Sequence, residues 1–209
     1  MDNNNWAVEN LQTIRTLMER SALYRRALAP IMLFAGGLGV IAAAIGIHFR
    51  LSTVKGFTVL WLVTAVVVIA GAFYIARKQA LKDNELFWSP PTRRVAQALM
   101  PPLAAGMILG IILGLGSVAR LVDFIVLLPF LWAFLYGCAL HAAGFFMPRG
   151  VRWFGWVYIV SASIALLYVM LVRPNFDVNG HWLMGIFFGG LHLAYGGYLY
   201  LTEKKTPAL

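Results

Sequence analysis

Residues 57–76 read FTVLWLVTAVVVIAGAFYIA, with Lys55 just before them and Arg77 and Lys78 just after. The stretch holds no charged side chain and is as long as the about 20 residues a helix needs to cross a bilayer. In hydrocarbon, every backbone amide must be satisfied inside a helix or a closed barrel. The apolar–polar alternation of a barrel strand is absent, so the stretch is predicted to be a helix. Five further runs are apolar and long enough to cross, at 31–49, 99–118, 121–146, 153–172 and 182–201, with Asp123 near the start of the fourth run as their one acidic residue. Composition points the same way. Of 209 residues, 61% are hydrophobic and 12% charged, and the mean hydropathy is +0.77. A soluble domain is nearer half apolar and a quarter charged. Such a chain has too few polar side chains to cover a globule in water. The expected fold class is all-α: an integral membrane bundle of six transmembrane helices forming one domain over 30–201. A cytoplasmic amphipathic leader helix is expected over 1–29, and a cytoplasmic tail over 202–209.

The net charge of +9 raises nucleic acid as a partner, and the distribution of charge removes it. Lys and Arg gather in four segments: Arg15, Arg20, Arg25 and Arg26; Arg77, Lys78, Lys82, Arg93 and Arg94; Arg149 and Arg152; Lys204 and Lys205. The alternate connections hold only Arg50, Lys55, Arg120 and Arg173. Positive residues stay on the cytoplasmic side, so both termini are expected there. Arg25, Arg26, Arg77, Lys78, Arg93 and Arg94 serve as the basic anchors. The expected location is a bacterial inner (plasma) membrane. The leader carries Asp2, Glu9 and Glu19 before the first apolar run, which does not fit a cleavable signal. Its Ala7, Leu11, Ile14, Met18 and Tyr24 recur at near-helical spacing. This fits a helix on the membrane surface, with its arginines at anionic head groups, and equally a short protein-contacting helix.

Small residues recur every fourth position: Gly106, Gly110 and Gly114; Ala35, Gly39 and Ala43; Gly185 and Gly189. That spacing lets helix backbones approach closely, within one chain or between two. Between the second and third runs lies FWSPPTRRVAQALMPP. Thr92 is expected to cap a short turn through Arg93 and Arg94. Pro101 and Pro102 are expected in the first turn of the third span, where a missing N–H is tolerated. The segment reads as an interfacial elbow, or as a docking site for a cytoplasmic partner. Trp153, Trp156 and Trp182 fall at expected membrane boundaries. Pro129 falls inside the fourth and longest run, where a bend is expected. Cys138 is expected to be a small buried apolar residue.

Chemistry-bearing groups are few. No Asp or Glu falls in the middle of a run, which argues against ion-coupled transport. There is no phosphate loop, paired-cysteine metal pattern or nucleophile elbow. No catalytic residue and no metal site is predicted. His141, in GCALHAAG (137–144), and His192, in GGLHLAYG (189–196), remain. Flanking glycines turn both toward helix neighbours, with His192 expected on the face of Gly185, Gly189 and Gly196. Each imidazole is expected to bond a neighbouring helix, with Tyr136, Tyr195, Ser161 and Ser163 as partners. The alternative is a pair of haem b ligands, with His48 and His181 near the outer boundary as a second pair; otherwise no cofactor is expected.

The stretches FWSPPTRRVAQALMPPLAAG, YGCALHAAGFFMPRGVRWFGW, GGLHLAYGGYLYLTE and RTLMERSALYRRAL together resemble an uncharacterised family of small bacterial polytopic inner-membrane proteins. That family is connected with genes beside winged-helix transcription regulators. The resemblance spans most of the chain. It implies a bacterial plasma membrane and transfers no catalytic residue. The leading expectation is a non-catalytic accessory, sensing or interaction component. Its partners would be the lipid bilayer and a second copy or another membrane protein. The alternatives are a transporter or channel for a small neutral or lipophilic solute, and a haem b-bearing electron carrier.

Overall fold

A computed structural model of the protein describes residues 27–82, 86–115, 124–172 and 179–203. Among the described residues every element is helical. The helices are α1 (Ala27–His48), α2 (Val54–Lys82), α3 (Pro90–Leu115), α4 (Phe124–Ala143) and α5 (Arg149–Val172). α6 (Gly180–Met184), a π-helical segment (Gly185–Leu191) and α7 (His192–Glu203) then follow without a break as one rod. Four helices are long and apolar enough to cross a membrane: α1, α2, α3 and α5. The apolar part of α4 is shorter, at Leu127–Ala143. The expected leader, with Arg25 and Arg26, lies outside the described residues but for its last three positions. The tail beyond Glu203 also lies outside them.

Several boundaries differ from those read in the sequence. α2 continues to Lys82, so Arg77 and Lys78 lie on the helix. α3 begins at Pro90 and absorbs the expected elbow, which places Arg93 and Arg94 in its first turns. Ser89 caps it in place of Thr92: its carbonyl accepts the Arg93 N–H at 3.1 Å, and its hydroxyl meets that of Thr92 at 3.1 Å. Pro90 and Pro91 therefore occupy the first turn, while Pro101 and Pro102 lie inside the helix. Helix is retained there although the prolines remove two N–H donors. Among the described residues α4 is not the longest helix. It ends at Ala143 and runs through Pro129 with the helix unbroken; at 29 residues, α2 is the longest.

α4 is the centre of the packing. One core joins Leu28 and Met32 of α1 to Phe130, Ala133 and Leu140 of α4, Val151, Phe154, Tyr158 and Ala162 of α5, and Phe187 of the π segment. A second joins Ala42 and Ala43 of α1 to Phe57 and Trp61 of α2, Leu128 and Trp132 of α4, and Met184 of α6. Outside these cores the surface is apolar, as Val59, Val63, Val66 and Phe73 on α2 illustrate. A water-facing protein does not present such a continuous apolar face.

The small-residue spacings mark contacts within the chain. Gly36 and Gly39 of α1 lie against the last rod. A Cβ on Gly36 would come 2.8 Å from the Leu193 backbone nitrogen, and one on Gly39 2.8 Å from that of Gly189. Ala43 meets Gly185, and Val40 meets Gly189. Ala35 is buried. The α3 stripe is a seat for side chains instead: Trp132 lies against Gly106 and Gly110, and Thr58 against Gly114. The Trp132 indole N–H bonds the Gly106 carbonyl at 2.8 Å. A third glycine contact, between Gly137 of α4 and Gly155 of α5, brings those two backbones together.

Candidate functional site: a buried tyrosine–histidine chain

Tyr136 of α4, Tyr158 of α5 and His192 of α7 meet in the interior. His192 is 3% exposed and Tyr158 fully buried. The Tyr136 hydroxyl lies 2.8 Å from His192 Nε2, and the Tyr158 hydroxyl 2.9 Å from His192 Nδ1. Tyr158 also donates its one hydroxyl proton to the Phe187 carbonyl in the π segment. That donation fixes the order of the others. Tyr158 must accept from Nδ1–H, so Nε2 is the acceptor and Tyr136 donates to it. The chain thus runs Tyr136 O–H to Nε2, Nδ1–H to the Tyr158 oxygen, and Tyr158 O–H to a backbone carbonyl. Aromatic rings enclose it: Phe154 edge-on to His192 with centroids 5.7 Å apart, Phe188 stacked on it at 6.2 Å, and Tyr136 edge-on to Tyr158 at 5.0 Å.

The π segment places His192 there. In a regular helix His192 would share the face of Gly185, Gly189 and Gly196, as the spacing suggested. An i→i+5 turn winds in extra backbone. After it, Leu193 faces Gly36 of α1, and His192 faces α4 and α5. Gly185, Gly189 and Gly196 meet α1, while His192 meets α4 and α5. Glycine is needed at 189, since a Cβ there would meet Val40 Cγ2 at 2.8 Å.

The other histidines stand apart. His141 is half-buried, edge-on to Phe145 and Trp156, and its buried Nδ1 has no hydrogen-bond partner among the described residues. No hydrogen bond or ring contact joins it to His192 among the described residues. Of the four expected partners, only Tyr136 reaches a histidine. Ser161 and Ser163 bond back to Val157 and Ile159 at 2.6 and 2.7 Å, and the Tyr195 hydroxyl is buried without a partner among the described residues. Cys138 is half-buried. His48 is exposed and touches Phe49, whereas His181 is 2% exposed, so these two do not form a pair at a wet boundary.

His181 has its own closed set of bonds. An indole can only donate, so the Trp61 N–H, 3.1 Å away, makes Nδ1 the acceptor. Nε2–H then donates to the Leu51 carbonyl at 3.0 Å. That carbonyl is positioned by the end of α1. The Leu51 N–H bonds the Gly46 carbonyl at 3.0 Å and the Arg50 N–H that of Ile47 at 3.2 Å, with Arg50 at φ 49°. This is the helix-ending motif that usually places glycine in the left-handed position; here an arginine takes it. Tyr158 and Trp61 were not singled out from sequence, and His181 was named only as half of an outer pair with His48. The available signal was their position: a tyrosine or tryptophan deep in an apolar run brings a polar atom that must find a partner.

Two grooves of about 450 Å³ flank α5. One is lined by Ser161, Ile164, Tyr168 and Leu183, the other by Leu131, Phe134, Leu166 and Met170; Phe130 reaches both. They are open and apolar. Among the described residues, no group of three or more His, Cys, Asp or Glu could hold a metal ion. Comparison with protein-family models, curated proteins and solved structures returns no match for this chain.

Proposed function

We propose that the protein is a six-span component of a bacterial inner membrane, with both termini cytoplasmic and no catalytic activity of its own. In this reading it acts as an accessory, sensing or interaction protein. Its partners are the bilayer and a second membrane protein or second copy. The bare apolar face of α2 supports such contacts. The resemblance to small polytopic inner-membrane proteins belongs to the same reading.

The observation that carries it is the fate of the buried polar groups. His192 and His181 have both ring nitrogens engaged by this protein's own groups. The Tyr136–His192–Tyr158 chain ends on a backbone carbonyl. An amide carbonyl does not release a proton onward, so the chain holds three helices together and does not relay protons. An axial haem ligand needs a free ring nitrogen, and Tyr136 would have to leave His192 to provide one. A solute pathway needs polar groups facing a cavity, and the two grooves on α5 are apolar.

The test is an absorbance spectrum of the detergent-solubilised protein beside an unfolding curve. Wild type is expected to show no Soret band, and His192→Phe to melt at lower temperature. A Soret band that disappears in both His141→Ala and His192→Ala overturns the reading in favour of an electron carrier.

A further inference from the structure

We propose that the junction of α4 and α5 binds the phosphate of an anionic phospholipid head group through Arg149 and Arg152. The inference rests on the membrane-spanning reading above and adds a ligand to it. The junction is tightly built. The Gly144 N–H bonds the Leu140 carbonyl at 2.8 Å, the Phe146 N–H that of Ala143 at 2.9 Å, and the Val151 N–H that of Pro148 at 2.9 Å. A Cβ on Gly144 would lie 2.7 Å from the Arg152 Cα, so the arginine leaves α5 directly at the contact.

Its guanidinium lies 5.3 Å from the Phe145 ring centroid. Phe145 stands edge-on to His141 at 5.4 Å, and His141 edge-on to Trp156 at 5.3 Å. The cation is thus braced against an aromatic shelf. Arg149 is exposed one turn away. No acidic residue occurs between Asp123 and Asp177, so neither α4 beyond its start nor α5 offers a carboxylate. Among the described residues, neither arginine makes an ion pair. The positive end of the α5 dipole adds to the same spot.

The surroundings define the class of anion. Phe145, Phe146, Trp153 and Trp156 are all strongly exposed, Trp153 at 68%. Exposed aromatic rings of this kind sit at head-group depth, where the anion within reach is a lipid phosphate. The planar guanidinium fork matches phosphate oxygens, and basic pockets between spans hold such head groups.

Native mass spectrometry of the detergent-solubilised full chain, with added phosphatidylglycerol or phosphatidylcholine, tests this. Phosphatidylglycerol is expected to be retained in preference. Arg152→Gln and Arg149→Gln should each weaken its retention roughly fivefold, the effect of one basic side chain near the surface. Arg152→Lys should keep more of it than Arg152→Gln. Lys55→Gln, on an exposed residue at the opposite end of the bundle, should change nothing. Equal retention of the two lipids, or an equal loss in Lys55→Gln, overturns the proposal. A chain that floats with vesicles of neither lipid sinks the membrane reading, and the site falls with it.

Discussion

At the scale of the residue, Tyr158 carries more of the interior than Tyr136. Removing its hydroxyl takes away two hydrogen bonds, one from the Nδ1–H of His192 and one to the Phe187 carbonyl. Removing the Tyr136 hydroxyl strands only Nε2. Interhelical hydrogen bonds in membrane bundles average about 0.6 kcal/mol and reach about 1.7 kcal/mol. Tyr136→Phe is therefore expected near the lower value and Tyr158→Phe near the upper, read from unfolding curves in mild detergent; equal losses would contradict the assigned direction of the chain. Arg50 offers the opposite case. A non-glycine residue in the left-handed region costs roughly 1–2 kcal/mol, so Arg50→Gly is expected to raise the melting temperature. Arg50→Val, with branching at Cβ, is expected to lower it. His192 and Tyr136 were legible as residues of interest because each puts a polar atom in an apolar run. Their geometry was not legible, because the face assigned to His192 assumed one uniform helical period and the π turn breaks it. His181 was misplaced for a related reason. Its position near a span end suggested water, yet Trp61 and the Leu51 carbonyl enclose it.

Elements show the same division between what hydropathy encodes and what it does not. Apolar runs locate helices because the cost of an unpaired amide in hydrocarbon outweighs local preference. They do not locate helix ends, since helix can continue into the head-group region, as α2 does to Lys82 and α3 does back to Pro90. Four-residue spacing of small residues located contacting faces but did not distinguish backbone approach, at Gly39 and Gly189, from a side-chain seat, at Gly110. Substitution separates these roles. Gly189→Ala and Gly39→Ala are expected to destabilise by about 1–3 kcal/mol through overpacking. Gly37→Ala, where an added Cβ meets nothing within 4 Å, should be neutral or stabilising by up to about 1 kcal/mol. A melting curve for each variant decides it. Deleting Gly190, whose Cβ position is nearly open, should let the π turn close as α-helix with both flanks in place. That variant is expected to melt close to wild type, whereas an alanine inserted at the same point should melt well below it.

For the whole molecule, orientation is the prediction that matters. Reporter domains fused at Asp83 and at Leu209 are both expected to report the cytoplasm, and an external signal from either would overturn the six-span arrangement. The expectation comes from charge counting, because segregation of Lys and Arg acts over whole connections and needs no fold. The association of helices across the bundle was not legible, since nothing in the α1 sequence names the rod that covers it. That association has a consequence for biosynthesis. α1 packs against the rod that begins at Gly180, so among the described helices the first made waits for the last before its glycine face is covered. A chain halted before Gly180 leaves Gly36 and Gly39 uncovered, and that unsealed intermediate is the form in which a protease or chaperone would meet it.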